Sequence, residues 1–330
     1  MSSSARNTTV DFFRVLACVG VIAIHVPFDT WGAEAYNKLF WPLCVPYFYL
    51  TSLTYFSEAA KRKRDSRLIT RVAQRILLPY LSWSVIYLLL VLLNYKVTGK
   101  DLDLNVLKLL FYGESAVHLY FLPLLFIMQI TLIGIFLLFN NPRSIVTGLY
   151  CILLVAAYLG LGNSIGTFAV NYSTGIGILI FVGASLIFDK LKLVRKIGPD
   201  LKLVFLGMAM VVAAVSANVY SYSLTLMNYP MILPLGGIGL FFTASGYPTF
   251  SSSVIIRTLA DASYGIYLIH IVFLEGFQVL ESRLLPFTPQ YTFFYKALYI
   301  IVVFFCSLIT VQVLRKNAIS RIALLGEGKK

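Results

Sequence analysis

Long apolar blocks separated by short polar segments run through the whole chain. About 20 apolar residues in a helix span the hydrocarbon core of a bilayer, and ten blocks approach that length. The pattern therefore predicts an all-α polytopic membrane bundle that forms a single domain over residues 1–330. The predicted spans are roughly 10–27, 42–60, 76–94, 118–139, 144–161, 173–189, 202–218, 230–244, 263–281 and 292–314.

The span 230–244 is the weakest of the ten because prolines and glycines interrupt it. Proline inside a helix removes a backbone hydrogen bond and kinks or breaks the helix. A broken or re-entrant segment is therefore the alternative there. The residues concerned are Pro230, Pro234, Gly236, Gly237 and Gly239.

Basic residues predict how the spans are oriented. The chain has 27 Lys and Arg, and with a cytoplasmic N-terminus 20 of them fall on the inner side. Cytoplasmic loops are enriched in Lys and Arg, so both termini are predicted to be cytoplasmic, with a short basic tail over 315–330. The same clustering argues against nucleic-acid binding as the reason for the net charge of +13. The predicted outer side keeps Lys38, Lys96, Lys100, Lys108, Arg283 and Lys296.

Composition points away from a soluble protein and from a metal site. Charged residues make up 12% of the chain, against about 25% in a typical soluble domain. A cleaved signal peptide ending near Ala33 and Ala35 is a rival interpretation of the N-terminus, which Arg14 inside the apolar run disfavours. The cysteines lie in apolar runs without metal-type spacing, so no metal is expected and they are predicted to be small buried hydrophobes: Cys18, Cys44, Cys151 and Cys306.

Two ionisable residues on the first span carry the main chemical signal. Eleven helical steps bring His25 to within about 20° of the face of Arg14, with a rise of about 16 Å. Asp11, three residues before Arg14, is on the same side and could pair with it. Histidine is a natural proton acceptor near neutral pH, and arginine holds anions such as phosphate. The alternatives are an arginine that snorkels to the inner headgroups and a histidine that is only structural.

A basic run over residues 61–75 precedes the third span. It includes Arg71 and Arg75, four residues apart on one face just before Pro79. Together they are predicted to clamp a phosphate-rich cosubstrate that arrives from the cytoplasm. The alternative is a topology signal that also binds anionic lipid.

Two further stretches place histidine among aromatic residues. HLYFL, residues 118–122, contributes His118 and Tyr120, and SYGIYLIH, residues 263–270, contributes Ser263, Tyr264 and His270. These five residues, together with Asp11, are candidate pocket residues, although aromatics at helix ends are commonly interface belts. Glu58 and Glu275 are the carboxylates predicted to lie at membrane depth, with roles left open.

These motifs together resemble the membrane-bound acyltransferase-3 family of O-acyltransferases. The first-helix signature is Arg14 to His25, within DFFRVLA. The arginine pair before a proline and the complete SYGIYLIH motif follow in the usual order, over about residues 10 to 280. The second-span motif is PYFYLTSL, residues 46–53, with Leu53 in place of glycine, and HLYFL has Tyr120 in place of tryptophan. Leu53 bears on how closely the helices pack at that point, and Tyr120 bears on the size of the pocket.

The resemblance implies transfer of an acyl group, usually acetyl from cytoplasmic acetyl-CoA, to a sugar hydroxyl of a cell-envelope polysaccharide or lipid-linked glycan. Some members carry an extra soluble hydrolase-like domain, for which this chain has no room, so a stand-alone enzyme of the bacterial cytoplasmic membrane is expected. His25 is then the general base, Arg14 is catalytic and donor-binding, and Arg71 and Arg75 bind the donor. An acyl-histidine intermediate is the alternative chemistry.

Two other functions remain as alternatives. A transporter or flippase of a glycan or lipid-linked sugar would also need intramembrane charges, but no paired halves with matching broken helices are visible. A structural membrane subunit whose polar residues only pack is the third reading. The acceptor sugar, the acylated position and a homo-oligomeric state stay open.

Overall fold

Helices make up the regular structure of the described residues. The computed structural model describes residues 6–63, 67–98, 118–138, 175–196, 198–220, 232–250, 253–286 and 289–328, and it has no strand within these ranges. The helices are α1 (Thr8–His25), α2 (Trp31–Phe40), α3 (Cys44–Lys63), α4 (Arg67–Val72), α5 (Leu78–Thr98), α6 (Phe121–Leu138), α7 (Gly175–Lys190), α8 (Leu201–Tyr220), α9 (Ile232–Gly246), α10 (Val254–Leu284), α11 (Phe293–Lys316) and α12 (Ala318–Leu325).

Six helical segments in the described part of the chain are long and apolar enough to cross a membrane. The prediction of an all-helical, multi-pass membrane protein is confirmed, whereas the number of ten spans and the cytoplasmic termini stay predictions. The six segments are Thr8–His25, Arg67–Leu93, Phe121–Leu138, Leu201–Tyr220, Val254–Leu284 and Phe293–Lys316.

Nine of the ten predicted spans coincide with described helices, and the span 144–161 lies outside the described residues. Three helices lie outside the predicted spans, and one of them is α4, just before the third span. The short helix α2 follows α1, and the tail contains α12, which packs against α11 and α5. Trp83 of α5 donates its indole N–H to the carbonyl of Leu324 at 2.8 Å, which fastens α12 to the bundle.

The weak span 230–244 is an unbroken helix, α9, from Ile232 onward. Pro234 lies in its first turn, where the missing N–H has no intrahelical acceptor to lose. The glycines serve close helix packing instead of a break. A Cβ on Gly239 would lie 2.6 Å from the carbonyl oxygen of Gly207, so α8 and α9 touch backbone to backbone.

The outer faces of several helices carry large apolar side chains that no protein group covers. Phe205 on α8 is 72% exposed and Phe294 on α11 is 82% exposed. Exposed apolar surface of this kind marks contact with a partner or a membrane. These faces therefore suit lipid chains, as a multi-pass protein requires.

α1 is the helix around which the others pack. It contacts α2, α3, α9, α10 and α11. It begins after Asn7, whose side-chain oxygen accepts from the N–H of Val10 at 2.9 Å, and ends at His25, two residues before Pro27. Cys18 and Cys44 are buried, as predicted, Cys306 is half-buried, and Cys151 lies outside the described residues.

Candidate active site

The three histidines of the chain meet at the end of α1. The ring centroids are 5.6 Å apart for His25 and His270, 4.9 Å for His118 and His270, and 6.5 Å for His25 and His118. His118 and His270 are buried, whereas His25 is half-buried. The cluster therefore joins residues that lie more than 90 positions apart in sequence.

α1 and α10 run parallel, and their pairing creates the cluster. Arg14 contacts Ser263, and His25 contacts His270 further along both helices. The single helix α1 is continuous from Thr8 to His25. The predicted geometry therefore holds, with Arg14 and His25 on one helix separated by a rise of about 16 Å.

The hydrogen bond of His270 defines which of its ring nitrogens carries the proton and which has a free lone pair. Its Nδ1 lies 2.7 Å from the carbonyl oxygen of Tyr267. A carbonyl only accepts, so Nδ1 carries the proton and the Nε2 of the neutral ring has a free lone pair. Among the described residues, this Nε2 and both ring nitrogens of His118 are buried without a hydrogen-bond partner. Buried polar atoms of this kind call for a functional explanation.

Two tyrosines close the cluster around His118. Tyr267 donates its hydroxyl to the backbone carbonyl of His118. Tyr87 packs edge-on against the His118 ring at 5.4 Å and donates its hydroxyl to the carbonyl of Leu268 at 2.9 Å. Both hydroxyls thus donate to backbone carbonyls, one of His118 itself and one of Leu268 on α10, so neither hydroxyl proton is left for a substrate.

Arg14 and Asp11 lie at the other end of α1, as predicted, but the closer partner of Asp11 is Arg6. The Arg6 guanidinium contacts Asp11 at 2.5 and 3.0 Å and Asp261 at 2.7 Å. These side-chain hydrogen bonds raise the pKa of Arg6, so it stays charged. Arg14 lies 4.0 Å from Asp11 and 3.4 Å from the hydroxyl of Ser263. Since Asp11 is occupied by Arg6, the half-buried Arg14 retains donors for an anion.

Arg71 and Arg75 are both exposed and precede α5. Residues Ala73–Leu77 form a π-helical turn between α4 and α5. Pro79 has no N–H to give to the carbonyl of Arg75 four residues earlier, and the hydroxyl of Tyr264 donates to that carbonyl at 3.2 Å. Tyr264 therefore holds the backbone of Arg75 and lies at the arginine end of α10, away from the histidine cluster.

The end of the chain packs on the same turn. Gly326 has φ +62°, and a Cβ there would lie 2.4 Å from the carbonyl oxygen of Arg75. Glu327 beyond it accepts from Arg315 at 2.5 Å, and Arg315 also donates to the backbone of Asp261 at 2.7 Å. The α12 segment thus backs the turn that carries Arg75.

We expect Gly326→Ala to destabilise the protein by about 1–2 kcal/mol or more, because an L-residue is strained at this φ and its Cβ would clash with the Arg75 carbonyl. Thermal unfolding of the purified protein in detergent measures this. Gly328→Ala is the matched control, since a Cβ there meets nothing within 4 Å. Equal melting temperatures for the two variants would contradict the close contact.

The remaining predicted residues have mixed positions. Ser263 is buried and donates to the carbonyl of Ala260, and Tyr120 is half-buried against the core. Glu58 is buried and Glu275 is exposed. Leu53 is fully buried in the core, so the helices pack closely around the larger side chain that replaces the expected glycine.

Sequence reasoning missed Lys296 and Asn37. Lys296 is fully buried and donates to the carbonyl of Val26 at 2.9 Å and to Asn37 at 2.5 Å. A lysine at the end of a span is typical of the membrane interface. The neighbouring sequence therefore does not indicate that Lys296 reaches the backbone beside His25. In the described part of the chain, no three His, Cys, Asp or Glu side chains form a group that could hold a metal ion.

Comparison with known proteins assigns this architecture to one family. Residues 7–312 match the model of a family described as an acyltransferase domain. The match covers every helix from α1 to most of α11 and leaves α12 outside. None of the curated proteins and none of the solved structures matches the chain.

Proposed function

We propose that this chain, which belongs to the membrane-bound acyltransferase-3 family, transfers acetyl from cytoplasmic acetyl-CoA to a sugar hydroxyl. Membership of the family supports acyl transfer in general. The identities of the acyl donor and the acceptor are our proposal. The acceptor is a polysaccharide of the cell envelope or a lipid-linked glycan. The protein then resides in the bacterial cytoplasmic membrane with both termini inside.

One observation carries the proposal. A half-buried histidine, His25, lies at the end of the same helix that carries a half-buried arginine three turns earlier. Ionisable groups at membrane depth are costly and are kept mainly for function. An anion-binding group towards one membrane surface and a proton acceptor towards the other suit a donor and an acceptor that arrive from opposite sides.

The donor is bound at the arginine end. Arg71 and Arg75 are exposed there and hold the phosphates of CoA, because guanidinium groups make strong paired hydrogen bonds to phosphate. Arg14 contacts the inner part of the donor, since Asp11, its predicted partner, is bound more closely by Arg6. The pantetheine arm then follows α1 and brings the thioester towards His25.

The acyl transfer itself requires one base. His25 takes the proton of the acceptor hydroxyl, whose oxygen attacks the thioester carbon. The carbon–sulfur bond breaks, and the proton held by His25 leaves with the CoA thiolate. Positioned bases contribute about 10²- to 10⁴-fold. The buried rings of His118 and His270 form the wall behind His25 and exclude water from it.

Release of CoA tests the function directly. Membranes that contain the full chain, supplied with labelled acetyl-CoA and the host's envelope glycans, should release free CoA thiol and label the glycan. A glycan transporter would release no CoA. Label that accumulates on the protein without acceptor would indicate an acyl-histidine route instead of direct transfer.

We expect Arg14→Ala to weaken acetyl-CoA binding about tenfold or more, because a hydrogen bond to a charged group contributes about 1.5–3 kcal/mol. Isothermal titration calorimetry of the purified protein measures the dissociation constant. Arg283→Ala is the control, an exposed arginine at the far end of α10. An unchanged dissociation constant for Arg14→Ala would remove Arg14 from the donor site.

A further inference from the structure

The C-terminal end of α1 is held by two side chains from other helices. Asn37 of α2 donates to the carbonyl of Ile24 at 3.0 Å, and Lys296 of α11 donates to the carbonyl of Val26 at 2.9 Å. The two side chains also bond to each other, at 2.5 Å between Lys296 Nζ and Asn37 Oδ1. His25 lies between the two carbonyls that they hold.

These contacts satisfy groups that the helix itself leaves open. The last four carbonyls of a helix have no intrahelical donor, and the C-terminus carries a partial negative charge. Ile24 and Val26 are two of those carbonyls. An ammonium placed there is stabilised by the helix dipole, and the rings of Phe28 and Tyr36 lie 5.2 and 5.9 Å from Nζ.

Burying the ammonium group of Lys296 at the end of α1 carries a free-energy cost. Its side chain is fully buried, and within the described residues no carboxylate forms an ion pair with it. A buried charge without an ionic partner is costly because the charge loses its hydration, and an apolar residue would pack at less cost. The ammonium therefore has a role that apolar packing would not provide.

The turn after α1 is fastened on the same side. The backbone N–H of Asp29 donates to the carbonyl of Tyr291 at 3.2 Å, and the N–H of Tyr291 donates to the Asp29 carboxylate at 2.7 Å. This pair locks the segment behind Val26 to the start of α11. The backbone on both sides of His25 is thus held by α2 and α11, whereas the ring of His25 remains half-buried and accessible.

We infer that Lys296 and Asn37 are positioning residues for His25, and that the clamp they form fixes the imidazole at the distance from the thioester that base catalysis needs. This inference rests on the proposed function. The clamp reaches the end of α1 only through the backbone carbonyls of Ile24 and Val26, so it acts on turnover and not on the donor, whose phosphates bind at the opposite end of α1. A misplacement of about 1 Å at such a site can cost on the order of 100-fold in rate.

The sharpest test is Asn37→Asp, which keeps the size of the side chain. The carboxylate loses the N–H that holds the Ile24 carbonyl but strengthens the contact with Lys296. We expect kcat for CoA release to fall about 10- to 100-fold, with the KM for acetyl-CoA and the melting temperature unchanged. A merely structural residue would show the reverse, a shifted melting temperature and an unaltered kcat in the folded fraction.

Lys296→Met is the second variant and should lower kcat in the same way, whereas Lys296→Arg, which keeps the charge and donors, should recover part of it. Lys38→Met is the control, a lysine of α2 that pairs with Glu34, and should leave kcat unchanged. If Lys296→Met does not fold, the kcat of Asn37→Asp alone decides whether the clamp positions His25.

Normal kcat in folded Asn37→Asp would overturn the inference, and so would a loss seen only in KM. A separate result would overturn the proposed function, namely full activity in His25→Ala. If His25→Ala is inactive while the clamp variants turn over normally, only the positioning role fails.

Discussion

His25→Ala should lose acyl transfer by about 10²- to 10⁴-fold, because the imidazole is the proposed base for the acceptor hydroxyl. The ring lies at the end of α1 with His270 and His118 behind it, at 5.6 and 6.5 Å. The measurement is CoA release and glycan labelling with full-length protein in membranes. Calorimetry should show acetyl-CoA binding retained, since the phosphates are held elsewhere.

The matched control for this substitution must leave the helix end intact. Val19→Ala removes a partly buried side chain from the same helix without touching the cluster. Its effect should be confined to stability, with kcat per folded molecule preserved. A His25→Ala protein that inserts, purifies and transfers acetyl at the normal rate would remove His25 from the mechanism.

Arg71→Ala combined with Arg75→Ala should weaken acetyl-CoA binding by about 100-fold or more, because each charged hydrogen bond contributes about 1.5–3 kcal/mol and each 1.4 kcal/mol is tenfold. Both side chains are exposed at the start of the α5 span. Binding of acetyl-CoA by calorimetry is the readout, at two salt concentrations, since exposed charges are screened.

Arg257→Ala is the control for the arginine pair. It is an exposed arginine near the start of α10, so it removes a charge at the same end of α10 as Tyr264. A site-specific role predicts that it leaves the dissociation constant unchanged, whereas a diffuse basic surface predicts a loss similar to that of one member of the pair. Equal losses would make the pair a general lipid- or anion-binding surface rather than a CoA site.

Much of the candidate site could be predicted from sequence because its signals are local. Arg14 and His25 share a face because helical periodicity is a property of one segment, and α1 is continuous as predicted. Arg71, Arg75 and Pro79 form a motif readable within nine residues. The motif did not reveal what the proline does to the carbonyl of Arg75. Pro79 has no N–H to donate to that carbonyl, and the hydroxyl of Tyr264, nearly 190 positions after Arg75, donates instead.

Asp11 and Tyr264 show where local reasoning stopped. The spacing of three residues correctly suggested that Asp11 and Arg14 approach each other, but Arg6 from the segment before α1 takes the closer position. Tyr264 was grouped with the histidines by its motif. It precedes His270 by six residues, a rise of about 9 Å along the helix, and its hydroxyl donates to the carbonyl of Arg75.

The sequence by itself determined the all-helical, multi-pass character of the protein and its family, because apolar length and motif order are properties of contiguous residues. It also determined that Arg14 and His25 lie on one helix. Only the tertiary structure decided that His118 and His270 join His25, that Asn37 and Lys296 hold the backbone on either side of it, and that α12 backs Arg75. Those contacts depend on how helices pack, and packing brings together residues whose separation along the chain leaves no periodic trace.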